Sequence, residues 1–500
     1  MAQSSVAPHD PAAARGSSRR TQSEIYRAGI SGTRPSVPVD ADALEAAARK
    51  TLGAEAFAYI AGGAGAERTV AANRRAFERW QVWPRPLRDV AERDLSIELL
   101  GRRRPTPFVL APLGVMELAH RDADIAVAKG AASIGVPYTL SNQASFAMED
   151  VAAAAPAGVR LFQLYWSAND DLNGSLLRRA EASGCEAIVV TLDTHLLGWR
   201  TRDLDLAYLP FTRGLGIAQY TSDPVFQQLV RERVRTAGDP STGSGTGVAG
   251  SGDPSTGSGT GVAGSVDPST GSGTGVAGSV DPATGSGTGV AGSVDPSTGS
   301  GTGVRMTAKT VAAGIQIARK GSALTGGGLR DSLRSPLPRA AVETFLDVFS
   351  TPALTWTDLA KAREWTTLPI ILKGILHPDD ATRAMDAGVD GVWVSNHGGR
   401  QIDQSVPALA ALPGVVDRVR GAVPVIFDSG VRGGADAFIA LALGATAVAI
   451  GRPYAYGLAI AGEAGVREVL RNHIAELDIT LGLSGFTSIR DVGAEALREA

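Results

Sequence analysis

The segment 368-LPIILKGILHPDDATRAMDAGVDGVWVSNHGGR-400 decides the fold. Two short apolar runs, Ile370–Lys373 and Gly391–Ser395, read as strands, and Pro378–Ala387 between them reads as a helix. A strand, a crossover helix and a second strand make a parallel pair joined by a right-handed connection. Each run ends in polar residues: Lys373 closes the first, and Ser395, Asn396, His397 and Arg400 follow the second.

Outward from this unit the alternation continues in both directions. Upstream, Phe108–Ala111, Tyr138–Ser141, Leu161–Tyr165 and Ala187–Thr191 read as strands; downstream, Val425–Phe427 and Ala447–Ile450 do. Pro424 stands where a strand begins and no ladder donor is required. Helical stretches at Asp122–Ile134, Leu172–Ala182, Trp356–Arg363 and Ala435–Leu443 lie between them. Eight strands alternating with helices predict an α/β fold, a (β/α)₈ TIM barrel closed by parallel pairing.

Residues 1–38 read as a flexible polar tail, and Ala41–Ile60 as one helix. The barrel domain is expected over 39–500. Inside it, residues 239–304 repeat a 14-residue unit, DPSTGSGTGVAGSV, in the loop after the fourth strand. The unit carries too little apolar surface to offset the entropy of ordering, so it reads as a long flexible insertion. Its GTGVAG matches a dinucleotide fingerprint, but no strand precedes it and no helix follows, so that reading is rejected.

The net charge of −3 and 20% charged residues give no footprint for nucleic acid or an anionic membrane. No 18-residue apolar run and no leader-like segment occurs, and the single cysteine, Cys185, excludes an intrachain disulfide. The expectation is a cytoplasmic protein with no metal site.

Barrel enzymes act from the C-terminal ends of their strands. Those ends carry Gly114, Ser141, Gln163, Tyr165, Thr191, Asp193, Arg200, Lys373, SNHGGRQ (395–401), DSGVRGG (428–434) and Gly451-Arg452-Pro453. Two arginines on separate strands can clamp a carboxylate. A histidine beside a carboxylate makes an oriented general base. A strand-end lysine can stabilise negative charge on a cofactor, and glycine turns with arginines after the last two strands make a phosphate site. The set describes a phosphate-bearing redox cofactor, an acid substrate and a base.

These motifs, with APLG (111–114), FQLYW (162–166), TLDTHLLGWRTRDLDLAYLPF (191–211), LPIILKG (368–374) and IGRP (450–453), resemble the FMN-dependent 2-hydroxy-acid oxidase and dehydrogenase family. Within it the chain is most similar to the lactate 2-monooxygenase branch. The resemblance implies FMN as cofactor, a small L-2-hydroxy acid such as L-lactate as substrate, molecular oxygen as acceptor, and a homotetramer. It implies His397 as the base, with Asp193 stabilising its cation. Arg200, Arg400, Tyr59 and Tyr165 would bind substrate. Lys373 would face the flavin, Gly114, Ser141, Gln163, Thr191 and Ser395 would contact its ring or ribityl chain, and Asp428, Gly430, Arg432, Gly451 and Arg452 would hold its phosphate end. One departure is Gln143, where glycolate oxidase has tryptophan; the substrate wall should differ there.

His120, His377 and His473 read as structural, His195 as neutral packing with a wall role as the alternative, and Trp166 and Trp199 as packing. Alternatives are an FMN-dependent diphosphate isomerase, a hydroxy-acid dehydrogenase with another acceptor, and a scaffold whose repeat recruits partners. An isomerase would need further basic residues and gives no reason for the His397–Asp193 pair.

Overall fold

The computed structural model describes residues 17–237 and 308–500. Eight parallel strands close into a barrel: β1 (Phe108–Leu110), β2 (Tyr138–Ser141), β3 (Arg160–Tyr165), β4 (Ile188–Thr191), β5 (Ile370–Ile375), β6 (Gly391–Val394), β7 (Val425–Phe427) and β8 (Ala447–Ile450), with β8 pairing back onto β1. Nearly every strand residue is buried. Enclosed parallel strands see apolar neighbours on both faces, which is why they read as continuous Val/Ile/Leu runs rather than alternating ones. Every predicted strand lies within a residue or two of its observed bounds.

The crossover helices include Ala123–Ala132, Asp170–Ala182, Pro378–Asp386, Ala408–Val419 and Gly434–Ala442. Residues 239–304 lie outside the described residues. They fall in the chain between the helices Pro224–Ala237 and Ala308–Lys320, that is, between β4 and β5.

Three expectations are corrected. Ser17–Ile30, assigned to a flexible tail, is a helix packed on the final helix, Arg452–Leu483; Arg471 pairs with Glu24 and Ser18 bonds to Asp478. Ala41–Ile60 is two helices, Ala41–Thr51 and Ala54–Ala61, because Leu52 turns extended (ψ 144°) and Gly53 caps the second. Trp356–Arg363 is a 3₁₀ turn, Asp358–Lys361, leading into a short helix, Ala362–Trp365.

Outside the barrel, Trp80–Val82 pairs antiparallel with Leu497–Glu499, and Ile97–Leu99 with Arg102–Arg104. Cys185 is buried before β4, and that burial pushes its thiol pKa up to about 12. Among the described residues no helix is long and apolar enough to cross a membrane.

Candidate active site

A cavity opens at the C-terminal ends of the strands, where barrel enzymes place their active sites. It collects Tyr59, Gly114, Tyr165, Arg200, Lys373, His397, Arg400, Asp428, Gly430, Arg432, Gly451 and Arg452 from the predicted set. Ser141, Gln163, Thr191, Asp193 and Ser395 sit just beneath: Ser141 Oγ donates to Gln163 Oε1 at 3.0 Å, Thr191 ends β4, and Asp193 and Ser395 touch His397. Tyr59 comes from outside the barrel, on the helix Ala54–Ala61.

The turn after β6 carries the histidine. His397, Gly398 and Gly399 have φ of 58°, 64° and 77°, and holding a non-glycine residue left-handed stores strain that surrounding contacts must sustain. Those contacts are present. His397 N–H donates to Ser395 Oγ at 3.0 Å, and Asn396 makes reciprocal side-chain bonds with Asn73 at 2.8 Å. The ring's Nδ1 lies 2.8 Å from Asp193 Oδ1 and 3.3 Å from Thr194 Oγ1. This leaves Nε2 as the nitrogen available for proton transfer. Burial lowers the His397 pKa, Asp193 opposes that, and Lys373 and Arg200 add to the lowering; the net shift is downward. Burial alone would raise Asp193, but His397 and Lys373 outweigh it and hold it at about 2.

Lys373 Nζ donates to Ser395 Oγ at 2.9 Å and lies 3.5 Å from Asp428. Arg200 and Arg400 are buried side by side, and their hydrogen bonds go to carbonyl oxygens: Arg400 to Gly62 at 2.8 Å, Arg200 to the Gln401 amide at 3.0 Å. Burial, then Arg200 and Arg452, press the Arg400 pKa downward. Arg452 likewise donates to Ile60, Gly62 and Gly398 carbonyls. Burial lowers both Arg432 and Arg452, and for Arg432 the charge of Arg452 adds to it. Asp203 offsets part of the charge of Arg200 and Arg400, and Glu45 and Glu67 part of that of Arg452, but buried guanidinium groups bonded mainly to carbonyls still favour an added anion in each cluster.

The polar groups also fit a flavin. Gln163 Nε2 and Thr191 Oγ1 are buried with no partner among the described protein groups, on the strands expected beneath the ring. A Cβ on Gly451 would meet no protein atom within 4 Å, which leaves open space at the expected phosphate end.

Sequence reasoning missed several lining residues. Phe211 stands edge-on to Tyr59 at 6.5 Å and near-parallel to Phe349 at 6.4 Å, giving the cavity an aromatic wall. Phe349 directly follows the helix Leu337–Val348, far from any strand end, so no motif flags it. Asp203, buried near Arg200 and Arg400, was likewise unflagged. Gln143 lines the cavity where the wall was expected to differ.

His195 is exposed, bonds to Leu192 O and is absent from the cavity lining. His377 caps the helix Pro378–Asp386, His120 Nδ1 accepts from Asp122 N, and His473 is buried against Phe108, all structural roles. Trp166 packs on Trp365, whereas Trp199, read as packing, is 73% exposed.

The model of the FMN-dependent dehydrogenase family matches residues 48–499. An FMN-dependent alpha-hydroxy acid dehydrogenase of Penicillium citrinum is 34% identical, covering 95% of each chain. An L-lactate oxidase of Lysinibacillus sphaericus (strain C3-41) is 35% identical, covering 89% of each. A crystal structure of mandelate oxidase with (S)-4-hydroxymandelic acid superposes with a TM-score of 0.65 at 31% identity, over 92% of this chain and 98% of that one. With a closed barrel and this cavity, the chain belongs to the family of FMN-dependent alpha-hydroxy acid oxidases and dehydrogenases, and it is an FMN-using oxidoreductase.

Proposed function

We propose that the protein oxidises a small L-2-hydroxy acid, with L-lactate as the first candidate and molecular oxygen as acceptor, in the manner of a lactate oxidase or lactate 2-monooxygenase. The observation that carries this reading is the pairing of two adjacent buried arginines with a histidine held 2.8 Å from a carboxylate, all on one cavity. Arg200 and Arg400 bind the substrate carboxylate, with Tyr59 and Tyr165 beside them. His397 Nε2 takes a proton from the substrate, and Asp193 fixes the tautomer and stabilises the resulting imidazolium. Bound FMN supplies the acceptor for the substrate's electron pair. Lys373 and its partner Ser395 hold positive charge at the flavin side of the cavity, and Ser141, Gln163 and Thr191 offer it hydrogen-bonding groups. Asp428, Gly430, Arg432, Gly451 and Arg452 hold the ribityl–phosphate end, with Gly114 lining the ring.

A second substrate reading has its own observation. Phe211 and Phe349 pack together in the cavity lining, and Leu197 adds to its apolar surface, which suits an aryl side chain. Aerobic turnover with L-lactate and with (S)-mandelate, assaying keto acid, decarboxylated acid and hydrogen peroxide together, separates the two. Acetate without peroxide from lactate identifies monooxygenation, and pyruvate with stoichiometric peroxide identifies an oxidase. Turnover of mandelate alone moves the assignment to the aryl acid. Failure with both acids and every acceptor offered rejects the reading.

The resemblance adds a homotetramer, the single cysteine fits a cytoplasmic site, and the composition of 239–304 makes it an insertion within one barrel. The residues expected to bind the cofactor all come from the described barrel strands and the turns that follow them. Excising Asp239–Val304 with a short Gly/Ser bridge is therefore expected to leave the flavin absorbance of the purified protein intact. A colourless product would show that the repeat is structural.

A further inference from the structure

We propose that Ser429 is a positioning residue that sets the turn carrying His397. The inference rests on His397 being the base, as proposed above.

Ser429 follows Asp428 after β7 and is 6% exposed. Its φ is 85°, a left-handed conformation that glycine adopts freely and serine does not. A glycine would be the unstrained choice, so the hydroxyl must be what the position needs. Its contacts say what for. Ser429 Oγ accepts Gly398 N–H at 3.0 Å and Asn396 N–H at 3.3 Å, and it donates to Asp428 Oδ1 at 2.7 Å. A hydroxyl has one proton and two lone pairs, and all three are engaged. Ser429 lines the cavity, but its hydroxyl keeps no capacity for a ligand, so the side chain acts through the turn and not on the reacting atoms.

The residues on either side of His397 thus hang from one oxygen. The His397 N–H itself is held by Ser395 Oγ, which also takes Lys373. Three successive backbone donors, from Asn396, His397 and Gly398, point at two serine hydroxyls. Those hydroxyls are anchored in turn by Asp428 and Lys373, which lie 3.5 Å apart. Asp428 is itself fixed by Trp393 Nε1 at 3.0 Å. The left-handed turn that aims the imidazole is therefore tied to β7, a strand away from its own.

The test compares Ser429→Ala with Ser429→Gly in the FMN-loaded protein. Both lose the hydroxyl, and only glycine also relieves the backbone strain. The melting temperature is expected to rank glycine above alanine. The maximal rate of flavin bleaching by the acid substrate under anaerobic conditions is expected to fall in both by about 10- to 100-fold, the cost of a small misplacement. The KM is expected to stay near wild type, because Arg200 and Arg400 are untouched. The His397 ring resonance in histidine-labelled protein should move in both variants, while those of His120 and His377 stay. A glycine variant that bleaches at the wild-type rate, rates that track melting temperature, or an unmoved His397 resonance would each overturn the proposal. If no acid bleaches the wild-type flavin, the function proposed above fails, and the resonance still decides the role of Ser429.

Discussion

Replacing His397 with alanine is expected to lower turnover about 10²- to 10⁴-fold while FMN stays bound, the range a general base supplies. The ring touches Asp193 and Thr194 and otherwise faces the cavity, so its loss removes the base without removing any group that cradles the cofactor. The pH dependence follows from the same environment. Only neutral imidazole accepts a proton, and the net effect of burial, Lys373 and Arg200 against Asp193 holds the His397 pKa below the ordinary 6.5. In wild type, kcat/KM should stay level from neutrality down past 6.5 and fall only at lower pH, as His397 protonates. The alanine variant should lose that acid limb. Near-normal turnover, or a limb that persists without the histidine, would assign the base elsewhere.

The second large effect is at the arginine pair. Arg400→Met is expected to raise the KM for the hydroxy acid roughly 100-fold or more, since removing one partner of a buried charge pair commonly costs several kcal/mol. The same change should raise the melting temperature of the acid-free protein. Arg400 is buried beside Arg200 and Arg452, so an apolar side chain of similar length relieves repulsion and desolvation together. Gly62 O would keep its bond from Arg452. Binding and stability moving in opposite directions is the signature of a site whose charge is arranged for function rather than for stability. A variant that loses stability and keeps its KM would make Arg400 a structural residue.

The barrel was legible because most enclosed strands show themselves as short apolar runs that lead into polar residues at their C-terminal ends. Lys373, His397 and Asp428 are found by that rule alone. Segments outside the barrel follow no such rule. Strands of three residues, such as Trp80–Val82, are too short to show a period. Pro413 lies inside the helix Ala408–Val419, where proline in a sequence signals a helix stop. The helix Ser17–Ile30 is polar in sequence and takes its order from tertiary partners, Asp478 and Arg471 among them. In the site, the charged residues and the histidine that line the cavity were legible by type. Those that work at one remove, Ser429, Thr194 and Asn73, were not, because a serine, threonine or asparagine carries no signal until its partners from distant strands are known.

Cys185 is the chain's one thiol, and it is sealed in the interior with its thiolate strongly disfavoured. To an alkylating dye the native protein is therefore nearly blank. A cysteine placed at Leu197→Cys, on the half-exposed rim of the cavity, would be the single reactive handle on the molecule. It would let a fluorophore watch the loop after β4 as acid enters and leaves, without Cys185 being replaced first.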